Sequence, residues 1–77
     1  MTNTNLLNTI IANSGLKKGH LASMLGITAA SLWQKINNKR EFKASEIQIL
    51  CTALGITSVR EKDRIFFAQK SELNSPS

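Results

Sequence analysis

The sequence predicts an all-α domain of five short helices. Apolar residues recur at spacings of three and four along most of the chain, and no stretch alternates as a strand would. Glycine, asparagine and hydroxyl residues interrupt that pattern where helices start and stop. At 77 residues the chain holds one domain. A domain of that size buries only about 60% of the surface its unfolded chain exposes, so a thin core is expected.

The first helix is expected over about Asn5–Asn13, with Leu7, Ile10, Ile11 and Leu6 on its apolar side. Thr4 or Asn3 can cap it, and Ser14-Gly15 ends it. The second spans about Lys18–Leu25 with Leu21, Ala22 and Leu25 inward. The third starts at Thr28, a good N-cap, and runs to about Asn37 with Leu32 and Ile36 inward. The fourth covers about Ser45–Leu54, and its stripe Ile47, Leu50, Cys51, Leu54 is the strongest helical period in the chain. Ser45 and Gln48 have capping-box spacing, Gly55 suits the left-handed stop, and Ile56 can fold back on the last turn. The fifth starts near Ser58, with Glu61 three residues on, and carries Val59, Ile65, Phe66 and Phe67 to close the core. The folded domain is thus expected over 1–69, and the polar composition of 70–77 predicts a flexible tail.

The net charge is +5, and its location is more telling than its size. Residues 17–43 hold six cations (Lys17, Lys18, Lys35, Lys39, Arg40, Lys43) against Glu41, whereas the charges of the remainder cancel. A basic patch so concentrated is the electrostatic footprint of a polyanion binder, although lysines also serve simply to solubilise a surface. No apolar run approaches the ~18 residues of a membrane span, and no signal-peptide pattern opens the chain. With one cysteine there is no internal disulfide, which suits a reducing compartment such as the bacterial cytoplasm.

The stretch Leu21-Ala22-Ser23-Met24-Leu25-Gly26-Ile27-Thr28 has what two helices need to cross steeply through a short turn. Ala22 is small where the second helix crosses, and Gly26, four positions later, tolerates positive φ. Leu21, Leu25, Ile27 and Leu32 can lock the crossing by burial. Leu-Gly-Ile alone is weak, since it occurs again at 54–56. The conjunction of Ala22, Gly26, the cap at Thr28 and the surrounding cations is more specific, and points to a helix-turn-helix.

Residues from about 7 to 68 resemble the Cro/CI-type (XRE-like) helix-turn-helix family of phage and bacterial repressors. The matches are His20–Thr28, then Leu32-Trp33-Gln34-Lys35-Ile36-Asn37-Asn38-Lys39, then Ser45-Glu46-Ile47 and Ala53-Leu54-Gly55-Ile56. The closest likeness is to short phage-encoded, Cro-like members. The resemblance implies a five-helix, lambda-repressor-like DNA-binding domain that regulates transcription by occupying an operator, with helix 28–37 in the major groove and no self-cleaving C-terminal half. Carried over by position, Ala29, Ala30 and Gln34 would face base edges, with Thr28, Ser31 and Trp33 near the groove walls. Gln34 can bond adenine in bidentate fashion, and alanine methyls can contact thymine methyls.

Two flanks are expected at the phosphates. Lys17, Lys18 and His20 stand at the start of the second helix, where cations oppose the helix dipole and Gly19 weakens the turn; a phosphate at that end would account for both. Asn37, Asn38, Lys39 and Arg40 follow the third helix, with Lys43 beyond, where such residues position a protein without specifying sequence. Trp33 is turned ~100° from Leu32 and is expected at the core edge or against DNA.

Cys51 lies on the inward stripe and reads as a small core hydrophobe. His20 has no ligand partner at metal spacing, and no catalytic constellation, cofactor motif or small-molecule site is expected. Of Phe66 and Phe67, one is expected in the core and the other exposed at a homodimer contact, because a module this small rarely binds DNA tightly alone. The rival reading is a protein-binding adaptor, antirepressor- or antitoxin-like, using the same scaffold without reading DNA.

Overall fold

The computed structural model describes residues 1–69, a bundle of five helices: α1 (Thr4–Ser14), α2 (Lys18–Leu25), α3 (Ala29–Ile36), α4 (Ala44–Leu54) and α5 (Val59–Phe66). No strand occurs among the described residues. The expected tail, 70–77, lies outside them. Helix α2 packs on α3 and α4, while α1 lies across α3, α4 and α5. Leu7, Leu21, Leu32, Ile36, Leu50 and Ile65 are fully buried, so every helix contributes to one core. Each such side chain stabilises the fold by about 1.5–3 kcal/mol relative to exposure. Cys51 is in that core as expected, and burial pushes its thiol up, with Lys62 pulling weakly the other way and Glu61 reinforcing the shift.

The helix ends follow local chemistry. Asn3 rather than Thr4 caps α1, its Oδ1 accepting from Leu6 N–H at 3.1 Å. Thr4 instead donates its hydroxyl to Ile36 O, tying α1 to the end of α3. Ser58 Oγ accepts from Glu61 N–H at the start of α5. The expected Ser45–Gln48 cap does not form. Helix α4 begins two residues earlier than a Ser45 cap would place it: its N-cap is Lys43, whose N–H donates to the Glu46 carboxylate at 2.8 Å. Glu46 can do this because it is anchored from the other side by Lys35, which draws the helix start back from Ser45.

One core expectation on α5 needs correction: Val59, in the first turn, is 68% exposed, whereas of the two rings Phe67 is the exposed one, at 56%. Phe66 is the core ring, meeting Phe42 edge to face with centroids 5.4 Å apart. Leu25 and Ile27, expected to bury at the α2–α3 crossing, are only half-buried there; Leu21, Ala22 and Leu32 fill it.

The first three residues are bonded into the fold. Asn3 N–H donates to Ile65 O at 2.7 Å, and Ala68 N–H donates to Met1 O at 2.9 Å. Asn38 holds Thr2 on both sides, its Oδ1 accepting from Thr2 N–H and its Nδ2 donating to Thr2 O, each at 2.8 Å.

Candidate nucleic-acid interface

The turn between α2 and α3 is held by hydrogen bonds at each residue that shapes it. Gly26 takes φ 70°, a conformation that strains any residue with a Cβ. Its N–H and that of Ile27 reach back to Ala22 O, the latter at 3.0 Å. Thr28 then caps α3, its Oγ1 accepting from Ser31 N–H at 3.0 Å, while Leu32 N–H donates to Thr28 O. Thr28 therefore serves the helix start whatever else it touches. With Leu21 and Ala22 beneath and Leu32 and Ile36 above, α3 has little freedom to slide.

What α3 turns outward is a narrow face. Ala29, Ala30, Trp33 and Gln34 are exposed, and Ser31 is half-buried at its edge. Trp33 is 55% exposed, so the indole covers little of the core. Among the described residues none hydrogen-bonds the Gln34 side chain, whose amide can both donate and accept. A helix of eight residues is about 12 Å long and 10–12 Å across, which matches the ~12 Å width of a B-DNA major groove.

On one flank, Lys17, Lys18, Gly19 and His20 are exposed at the start of α2. Lys17 is the N-cap and contributes no side-chain bond, and the first turn carries no acidic residue. The first N–H groups of α2 are therefore without a side-chain acceptor. A methyl added to Gly19 would meet nothing within 4 Å, so internal packing does not require glycine there. On the other flank, Lys39, Arg40 and Lys43 are exposed between α3 and α4. Asn37 is half-buried and its Nδ2 donates to Trp33 O at 2.9 Å.

Two residues depart from the sequence reading. The amide of Asn38 is occupied on both atoms by Thr2, and its φ of 63° makes it the pivot of the loop rather than a group directed outward. Lys35, counted in the basic patch, is 3% exposed and bonds Glu46, itself 5% exposed, through both carboxylate oxygens at 2.6 and 2.7 Å. Without Lys35, the surface of residues 17–43 carries five cations against Glu41, a net of 5 − 1 = +4. The pair left a trace in the sequence: Lys35 lies three residues after Leu32 and beside Ile36, on the inward stripe, where a lysine needs a carboxylate. Burial pushes the Glu46 carboxyl up, but hydrogen bonds from Lys35 and the Lys43 N–H, with the charges of both lysines, outweigh it and hold the group below its ordinary value.

Elsewhere an open groove of about 450 Å³ runs between α4 and α5 over Ile47, Cys51 and Ile56. Among the described residues no three His, Cys, Asp or Glu side chains gather as metal ligands. None of the described helices is long and apolar enough to cross a membrane. No family model, curated protein or solved structure matches the chain.

Proposed function

We propose that the chain is a sequence-specific, double-stranded DNA-binding regulator of transcription, a Cro-like repressor of the Cro/CI type that lays α3 in the major groove of an operator. The observation that carries this reading is the outward face of α3. It is small and amide-bearing (Ala29, Ala30, Trp33, Gln34), is mounted on a capped and buried helix, and lies in the chain between two exposed cationic stretches. In this reading Ala29, Ala30 and Gln34 meet base edges, with Thr28, Ser31 and Trp33 at the groove walls. Lys17, Lys18, His20, Asn37, Lys39, Arg40 and Lys43 meet phosphates; Asn38 holds the loop that carries four of them. The setting is a bacterial cytoplasm, with a phage or prophage as source.

A salt titration of binding to sheared prophage DNA tests it. Lys18→Ala is expected to weaken binding uniformly and lower the salt slope by about one. Gln34→Ala is expected to relax the preference at one base position, a discrimination of about 1–3 kcal/mol. Weak binding that neither substitution alters would refute the groove-reading model.

The regulator acts as a homodimer, with exposed Val59 on α5 and Phe67 just past its end as the contact. Sedimentation at tens of micromolar should show the dimer; a monomer both with and without DNA removes it. One feature favours the rival adaptor reading: the α3 face offers a single free amide beside an exposed indole, as a protein-binding face would. That reading predicts no dependence of DNA binding on Lys18 or Gln34.

A further inference from the structure

The described residues contain one ion pair, and it is buried directly behind the outward face of α3. Lys35 follows Trp33 and Gln34 in the last turn of that helix, and its ammonium bonds both oxygens of Glu46. The same carboxylate accepts the Lys43 N–H that opens α4. One side chain therefore fixes the end of α3, the start of α4 and the span of the 37–43 loop between them. Stability alone is a poor account of such a pair, because desolvating two charges consumes most of their attraction and apolar residues of similar volume often do as well. What a directional pair adds to an apolar contact is a constraint on rotation: the packing of Leu32 and Ile36 holds α3 in place but is not directional, whereas an ammonium between two oxygens cannot turn without losing a bond. A rotation of α3 by about 20° moves a side-chain tip about 5–6 Å from the axis by about 2 Å, enough to lose a hydrogen bond to a base.

We infer that Lys35 and Glu46 are positioning residues that set the axial rotation of α3 and hold the 37–43 loop against it, so that Trp33 and Gln34 are presented in one orientation. The consequence for base preference rests on the DNA-binding reading; the orientation itself does not.

The test has one arm for each. Residual dipolar couplings of backbone N–H groups, measured on the free protein, report the orientation of α3 relative to α2 and α4. In Lys35→Met/Glu46→Gln, which removes both charges and keeps an acceptor for the Lys43 N–H, the α3 couplings are expected to shift or scatter while those of α1 and α5 stay. Lys35→Gln, which keeps a donor facing Glu46, is expected to shift them less and serves if the double variant does not fold. Couplings of α3 unchanged in whichever of these variants folds overturn the inference. In the second arm, a duplex enriched by the wild-type protein from a random pool is compared with random duplex. The variant is expected to lose about tenfold in that affinity ratio with the salt slope unchanged. An unchanged ratio overturns the link from orientation to base preference. Wild-type protein that enriches no sequence refutes the DNA reading, while the couplings still decide what the pair does.

Discussion

Helices α2 and α4 begin and end with the same residue types, yet their starts are built in opposite ways. Each has lysine at the N-cap, Lys17 and Lys43, and each closes on Leu-Gly-Ile with the glycine at φ near 70°. In both, the isoleucine N–H returns to a carbonyl of the last turn, Ile27 to Ala22 and Ile56 to Cys51. The difference lies at the third helical position. In α4 it is Glu46, buried, bonded to the N-cap N–H and to Lys35; in α2 it is His20, exposed, behind Gly19 and Lys18. The start of α4 is closed by the protein's own carboxylate, and the start of α2 is left open with cations around it. The lesson is that an uncapped helix start in this chain is a local choice, because the same chain closes an equivalent start elsewhere.

The strongest way to break the contrast is Glu46→Ala. It strips α4 of its cap acceptor and leaves the Lys35 ammonium buried without a partner. The expected loss is about 3 kcal/mol, the lower end for a broken buried pair, because water reaches a stranded charge readily in so thin a domain. That is a large fraction of the stability of a chain this size, and chemical denaturation would measure it. If the midpoint barely moves, the pair does not stabilise the fold.

Acid probes the same carboxylate without mutation. The folded-state pKa of Glu46 lies below its ordinary value of 4.5. A group depressed on folding stabilises the native state above its unfolded pKa and loses that contribution as pH falls through the folded one. Stability should therefore decline below pH ~4.5, and Glu46→Gln should flatten that part of the profile. A decline equally steep in the variant would assign acid sensitivity to other carboxylates.

The smallest effect is the most discriminating. His20→Glu gives α2 the carboxylate that α4 has, and should raise stability by about 0.5 kcal/mol by bonding the Lys17 N–H and complementing the dipole. If the open start receives a phosphate, the same substitution should weaken DNA binding by roughly tenfold, about 1.4 kcal/mol. A gain in stability with binding intact would mean that the open start serves no ligand.

Most of the fold was legible because it is encoded within four residues. The cap at Thr28, the Ser58–Glu61 start and the glycine stops at 15, 26 and 55 all act over one turn of backbone. The inward stripes of α1 to α4 could likewise be read from spacing. Features that join residues far apart in sequence could not. Lys35 meets Glu46 eleven positions away, and Asn38 meets Thr2 across thirty-six. Local spacing therefore counts Lys35 with the surface charge and Asn38 with the outward loop. The start of α4 is hidden for the same reason, since Ser45 has the better local signal and Glu46 prevails through a partner on another helix. On the outward face of α3 and the lysines beside it, residue type was readable, and exposure follows from the stripe that remains once Leu32 and Ile36 are turned inward.

The bond from Ala68 N–H to Met1 O, with Asn3 N–H on Ile65 O beside it, has a consequence for how the molecule is made. The opening residues of the domain are seated by residues at its far end. Helices α1 to α4 can form as they emerge, but Met1 O and Asn3 N–H lack their partners until residues 65–68 are outside. Phe66 also closes the core only then. Completion of the fold therefore waits on synthesis of its far end, and a nascent chain halted before α5 would leave α1 without its contacts to that helix and Asn3 without its partner.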